Sequence, residues 1–303
     1  MRQRHVYVVV SVRNRRRLTL QCLDKLEGQT WSELTVVVVD DGSTDGTRED
    51  IRRLYPTVQL LEGDGTLWWA GATNRGVAWC LKRASASDFV LTLNDDTVFE
   101  ADYVELLVRT ADRRLGSLVG SVVVDARDRQ TVLDGGVTVN WFTAREAQPI
   151  RGRFLCELRE SSRRAVSVDV LSGRGTLIPV EVYRRVGLYD ERHLPHYAAD
   201  YELSRRAARA GYGLLIDFDA VVYSVVDDRP VASVPSQSTW SRIKAILASK
   251  NSPRNPRYHL VYARLVCPWY ALPFYVSCYF IRLFGTPLTR RIRVLIQSAG
   301  GAG

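Results

Sequence analysis

The sequence predicts an α/β fold with a mixed, mainly parallel central sheet, on three observations. Short runs of β-branched and aliphatic residues alternate with stretches of helical spacing over residues 6–93. These runs are apolar at successive positions, as burial on both faces of a sheet requires. Clusters of Asp, Asn, Ser and Gly close the runs with turn chemistry.

Residues 6–12 (VYVVVSV) read as a buried strand. Residues 15–28 have helical spacing, with Leu18, Cys22, Leu23 and Leu26 on one face. Residues 34–39 (LTVVVV) form a second strand, which ends in the turn Asp40-Asp41-Gly42-Ser43-Thr44-Asp45-Gly46 and leads to a helix over 47–55. A third strand over 57–61, a helix over 70–84 and a fourth strand over 88–93 (DFVLTL) follow, the last ending in Asn94-Asp95-Asp96. Trp68 and Trp69 read as strand-like, with rings on opposite sides. Residues 118–124 and 132–139 read as strands, and 141–165 as charged loop or edge. Residues 166–171 lead through Ser172-Gly173-Arg174-Gly175-Thr176 to a strand at 176–179 and a short helix after Pro179. A helix over 199–211 and a strand over 213–225 complete the pattern. Pro230 and Pro235 mark a boundary, giving a main domain over 1–235 and a helical tail over 236–303.

The 303 residues are 46% apolar and 25% charged, which excludes a disordered chain, a collagen and a coiled-coil rod. The net charge of +9 is unevenly placed. Ten basic residues and no acidic ones follow residue 235, so the first 235 residues carry 32 basic against 33 acidic groups. That excludes a uniformly basic nucleic-acid binder, and no nucleic-acid partner is expected. Five cysteines at long spacings, without a CxxC pair, argue against a disulfide framework or a zinc site and suit a reducing compartment. The first residues do not read as a signal peptide, because arginines directly follow a short apolar run. Within the tail, residues 265–281 are uncharged and aromatic-rich, interrupted by Pro268 and Pro273 and bracketed by Arg264 and Arg282. They are expected to anchor on an anionic membrane surface, to dimerise, or to pack on the main domain.

In an open α/β sheet, ligands bind beyond the carboxyl ends of strands. Ser11–Asn14, Asp40-Asp41 and Asn94-Asp95-Asp96 fall there. Such residues also make turns and helix caps. The adjacent carboxylates Asp95 and Asp96 repel each other, and a divalent cation would relieve that repulsion. A hard cation on one or two carboxylates usually keeps water and phosphate oxygens as its other ligands, which suggests a nucleoside diphosphate.

VVVSVRNRRRLTLQCLDKLEGQT, VVVVDDGSTDGT, WWAGATNRGV, LTLNDDT, GRGTLIPVEVYRRVGLYDE and YAADYELSRRAARAGY occur in that order over roughly residues 5–226. Together they resemble glycosyltransferase family 2, inverting enzymes of GT-A fold, and within it rhamnosyltransferase-like members of polysaccharide biosynthesis. The resemblance implies a nucleotide-binding half over 1–97 and an acceptor half over 98–235. Asp41 would accept from the imide N–H of uracil or thymine, so the donor would be a UDP- or dTDP-sugar. Ser11 and Arg13 would line the base and ribose. Asn74 and Arg75 would face the nucleotide, with Arg75 able to pair with phosphate. Trp69 could stack on a sugar or base, and Gly173 would let the backbone approach a ligand. Asp96 would bind Mg²⁺ or Mn²⁺, and Asp95 would contact the ribose or the metal. Asp200 would be the base that deprotonates the acceptor hydroxyl, kept ionised by its helix N-terminus. Two departures stand out. Ala199 replaces the usual Glu, and Ser224 stands about where a metal-binding His often falls, with Asp227 and Asp228 nearby. His193 and His196 could contact a sugar or support their loop.

The implied function is metal-dependent, inverting transfer of a sugar to a hydroxyl of a glycan or lipid-linked saccharide, in cell-surface polysaccharide assembly. The enzyme would be cytoplasmic and peripheral on the inner face of the cell membrane. A nucleotidyltransferase would open with a glycine-rich basic loop, and SVRNRRR has no glycine. A non-catalytic nucleotide-sugar-binding scaffold has no need to keep Asp41, Asp96 and Asp200. A dinucleotide-binding oxidoreductase would show GxGxxG after the first strand.

Overall fold

The computed structural model describes residues 3–224 and 256–282. The strands β1 (Val6–Val12), β2 (Leu34–Asp40), β3 (Gln59–Glu62) and β4 (Phe89–Asn94) form the parallel half of a ten-stranded sheet, in the order β3-β2-β1-β4. Short strands β5 (Thr97–Val98), β7 (Val132–Asp134), β8 (Thr138–Asn140), β9 (Arg145–Ala147) and β10 (Ala165–Ser167) surround the other half. There β11 (Thr176–Pro179) runs antiparallel between β4 and β6 (Ser117–Asp125). Next comes β12 (Gly213–Ser224), parallel to β6, and β10 closes the edge. The hairpin β8–β9 stands outside the sheet.

Helices cover both faces, as the continuously apolar strands require. Val6, Val8, Val10 and Val12 meet α1 (Arg16–Glu27), α2 (Thr47–Leu54) and α4 (Tyr103–Arg113) through Leu23, Ile51 and Leu107. Tyr7 and Val9 point the other way, into a core shared with α3 (Trp68–Leu81), α6 (Val180–Val186) and α7 (Ala199–Arg209). Burying each large apolar side chain contributes about 1.5–3 kcal/mol relative to exposure. Gly76 lets α3 lie close on β1, since a Cβ there would stand 2.5 Å from Val9 Cγ1.

The less regular centre differs from the sequence reading. The run 132–139 breaks at Gly135-Gly136, where Gly136 takes φ +75°. The segment 141–165 holds β9 and a short helix α5 (Leu155–Glu160). Trp68 and Trp69 open α3 instead of extending, with Trp68 at φ 57°. The α4 helix was not expected at all.

The tail forms α8 (Pro256–Val266) and α9 over residues 272–282. Both pack on their own chain. Ala263, Cys267, Ala271 and Tyr275 bury against Val137, Val139, Ala144 and Val170. Arg209 donates to the carbonyls of Leu265 and Val266 at 2.8 and 2.6 Å. Arg282 donates to those of Ala144, at 2.6 Å, and Thr143. The outward side keeps large rings in solvent. Trp269 is 85% exposed, and Phe142 lies 6.0 Å from Tyr270 and 5.8 Å from Phe274. Among the described residues no helix is long and apolar enough to cross a membrane. The boundary near residue 235, Asp227, Asp228 and most of the tail's basic residues lie outside the described residues.

Candidate active site

The carboxyl ends of β1, β2 and β4 lie side by side, with Ser11 in register with Val39 and Asn94. Asp41 follows β2, and its N–H donates to the Val12 carbonyl at 2.9 Å. Its carboxylate accepts the N–H groups of Gly65 (2.8 Å), Leu67 (3.3 Å) and Trp68 (3.2 Å). Arg13 donates to the Gly65 carbonyl at 2.6 Å, so Arg13 and Asp41 hold the same turn. Three bonds leave a carboxylate room for about one more donor.

Asn74 does not fit the nucleotide role. Its amide donates to the Tyr189 carbonyl and to Glu191, both at 2.9 Å, and its oxygen accepts the Tyr189 N–H at 2.9 Å. Both donors are engaged, and the residue pins the 189–191 loop. Arg75 is exposed, next to Asp64, whose carboxyl Thr66 and, more weakly, Arg75 hold below its usual range.

The carboxylate pair has a counter-charge that sequence reading missed. Arg15 bridges it, with Nη1 2.9 Å from Asp95 Oδ1 and Nη2 3.2 Å from Asp96 Oδ2. Asp95 is 3% exposed, and Thr19 donates to it at 3.4 Å. Burial pushes its pKa up to about 7, against the pull of Arg15 and with repulsion from Asp96 adding to the rise. Asp96 Oδ1 is buried without a hydrogen-bond partner among the described residues. Ser224 lies opposite Thr97 in the β12–β5 register, next in chain to Asp96. Among the described residues no group of three or more His, Cys, Asp or Glu could hold a metal. A cation on Asp96 would therefore need phosphate and water to complete its shell.

Asp200 sits in the first turn of α7, after Ala198 in the left-handed conformation at φ 63°. Its Oδ2 accepts the Gly173 N–H at 2.8 Å and its Oδ1 the Tyr201 N–H at 2.9 Å. The helix N-terminus does not win here. Burial raises the pKa above the ordinary value, despite both N–H groups, and Asp134 adds to the rise. Ala199, which stands where the resemblance implies a Glu, is fully buried.

Asp200 opens onto a cavity of about 400 Å³. Trp69 lines it and donates its indole N–H to Asn94 Oδ1 at 3.2 Å, which links the cavity to the carboxylate pair's strand end. The indole lies against Gly173, where a Cβ would collide with it. Gly173 therefore makes room for Trp69 rather than for a ligand. His196 lines the cavity, whereas His193 pairs with Asp190 at 2.8 Å in the exposed loop. Arg206 supports the region by pairing with Glu202 at 2.7 Å. Asp134, Glu146, His259 and Tyr262 also line the cavity and were missed. They lie far apart in the chain, and no local motif marks them.

A family model described as Glycosyl transferase family 2 matches residues 7–156, and one described as Glycosyl transferase family group 2 matches residues 89–296. The N-acetylglucosaminyl-diphospho-decaprenol L-rhamnosyltransferase of Mycobacterium tuberculosis is 29% identical over 205 residues, covering 63% of this chain and 66% of the relative. Succinoglycan biosynthesis protein ExoA of Rhizobium meliloti is 31% identical over 194 residues, covering 62% and 53%. The chain thus spans just under two thirds of the first relative and about half of the second. Two solved structures share the fold. Mannosyltransferase PcManGT from Pyrobaculum calidifontis, in complex with GDP-Man and Mn²⁺, has a TM-score of 0.55 at 20% identity, over 97% of this chain and 81% of that one. GalNAc-T7 with UDP, GalNAc and Mn²⁺ has a TM-score of 0.58 at 14% identity, over 95% and 58%.

Proposed function

Because the chain belongs to glycosyl transferase family 2 and has its GT-A fold, we propose that it is an inverting glycosyltransferase. It moves a sugar from UDP or dTDP to a hydroxyl of a glycan or lipid-linked saccharide, in the assembly of a cell-surface polysaccharide. The observation that carries this reading is Asp200, a carboxylate with a raised pKa in the wall of a 400 Å³ cavity that adjoins the nucleotide-side strand ends through Trp69 and Asn94.

The remaining lone pair of Asp41 accepts the imide N–H of the base, while Arg13 and the bonds to Asp41 keep the 65–68 turn rigid beside it. A carboxylate in that position disfavours cytosine, which has no N3–H. Asp200 takes the proton of the acceptor hydroxyl. The acceptor oxygen bonds to the anomeric carbon as the bond from that carbon to the diphosphate oxygen breaks. The electron pair leaves with the diphosphate, and attack from the opposite face inverts the centre.

Asp96 suits a divalent cation, Mg²⁺ or Mn²⁺, because its Oδ1 is buried and unpartnered among the described residues. Asp95 would stand beside it, and such an ion supplies charge compensation for the leaving diphosphate. Arg15 offsets the pair's repulsion in the ligand-free chain.

The acceptor reading draws on the mycobacterial relative, whose name specifies a decaprenol-linked substrate. Work at the inner face of the cell membrane is supported by the exposed rings of Phe142, Trp269, Tyr270 and Phe274, and by the acid-free basic tail.

The test is transfer from labelled UDP- and dTDP-sugars to an N-acetylglucosaminyl diphosphate carrying a short isoprenoid chain. Product of inverted configuration is expected with Mg²⁺ or Mn²⁺ present. Product of retained configuration, or transfer only from a cytidine donor, contradicts the proposal.

A further inference from the structure

The tail contributes to the cavity itself. Tyr262 of α8 lines it, and the side chain is 3% exposed. Its hydroxyl is buried and has no hydrogen-bond partner among the described residues. A buried hydroxyl without a partner costs stability unless a ligand supplies the bond. His259, one turn earlier on α8, lines the same cavity and stacks on Tyr279 of α9 at 4.7 Å. Three carboxylates, Asp134, Glu146 and Asp200, and one guanidinium, Arg174, line the same cavity. Carboxylates accept from sugar hydroxyls, and the faces of Trp69 and Tyr201 suit the apolar side of a pyranose ring. Excess carboxylate disfavours an anionic sugar.

We infer that α8 forms part of the acceptor subsite, where the Tyr262 hydroxyl hydrogen-bonds a neutral pyranose whose free hydroxyl faces Asp200. This rests on the glycosyltransferase reading and deepens it. The tail is then a wall of the substrate pocket as well as a surface element. Burial keeps the Tyr262 phenol protonated, so it can act as donor. Tyr262 would position the acceptor and would not exchange a proton with it.

The experiment uses the full chain with Tyr262→Phe, which keeps the ring and its packing. Binding of octyl N-acetylglucosaminide and octyl glucuronide is followed by saturation-transfer NMR with UDP present. The native chain should bind the neutral glycoside more tightly than the glucuronide. Tyr262→Phe should weaken the neutral glycoside about threefold to tenfold. Thermal unfolding without ligand should show Tyr262→Phe at least as stable as the native chain, because it loses an unpaired hydroxyl. A purely structural tyrosine would lose stability and leave glycoside binding unchanged. No glycoside binding by the native chain, equal binding of the glucuronide, or unchanged binding in Tyr262→Phe each overturns the inference. Nucleotide binding by calorimetry is a separate readout. Its absence in the native chain would count against the glycosyltransferase reading, and with it the acceptor role, even where glycoside binding depends on Tyr262.

Discussion

The two sides of the site are built differently. On the nucleotide side the backbone and side chains of the chain itself hold most of the polar groups, and Asp96 Oδ1 is the exception, buried without a partner among the described residues. Asp41 holds three backbone N–H groups, and Arg15 spans Asp95 and Asp96. These residues follow the ends of β1, β2 and β4, which are neighbours in the sheet, so short motifs encode them. On the acceptor side the cavity draws on segments from Trp69 to Tyr262, and its lining includes Asp200, whose pKa is raised, and Tyr262, whose hydroxyl has no partner among the described residues. A pre-formed nucleotide side binds with little rearrangement. The unpartnered Tyr262 hydroxyl on the acceptor side and Asp96 Oδ1 on the nucleotide side each favour a ligand that completes them.

That contrast can be broken by substitution. The largest effect is expected for Asp200→Asn, which should slow transfer by about 10²–10⁴-fold while UDP or dTDP binding, read by calorimetry, stays near native. Equal loss of nucleotide binding would mean that the two sides are one unit. Asp96→Ala should weaken nucleotide binding in Mn²⁺ by about 100-fold and leave metal-free binding unchanged, since even outer-shell changes cost up to about that factor. Nucleotide binding by the native chain that is indifferent to metal would remove the cation from Asp96.

Arg15→Met should lower unfolding stability by about 1–3 kcal/mol, less than for a fully buried pair because the Arg15 side chain is 33% exposed. Added Mg²⁺ should restore part of the loss in chemical denaturation. An unchanged denaturation midpoint would show that Arg15 is not the pair's counter-charge. Replacing Trp269 and Phe274 together by Ser should cut sedimentation with anionic vesicles about tenfold, with transfer to a short-chain acceptor unaffected. If the native chain ignores vesicles and is a dimer that these changes make monomeric, the rings face a second copy.

Most of the sheet was legible because parallel strands buried on both faces must be largely apolar, and β1, β2 and β4 are, with Thr35 and Thr92 inside the runs and Ser11, Asp40 and Asn94 at or near their ends. The positions of Asp41, Asp95 and Asp96 beyond strand ends were legible from local turn chemistry, and that of Asp200 in the first turn of a helix from the family resemblance. Other residues fail for identifiable reasons. Asn74 has a suitable side chain, but the Tyr189 loop fixes its direction from more than a hundred positions away. Arg15 is one of several neighbouring arginines, and only the fold selects the one that reaches Asp95. The spacing of Val104, Leu107, Val108 and Ala111 is helical, so α4 carries a readable signal in the sequence. Tyr262 and His259 carried none, because nothing local distinguishes a pocket wall from a surface anchor.

The pH dependence of transfer at saturating donor and acceptor tests most directly whether Asp200 is the base. Its pKa is raised above the ordinary 3.8, so the folded state binds its proton more tightly than the unfolded chain does. Stability therefore falls as pH rises from 3.8 toward the raised value, while the active, ionised form of Asp200 accumulates. The native chain should show an acidic limb with a midpoint above 3.8, and the residual rate of Asp200→Asn should lack it. An identical limb in Asp200→Asn would contradict the assignment.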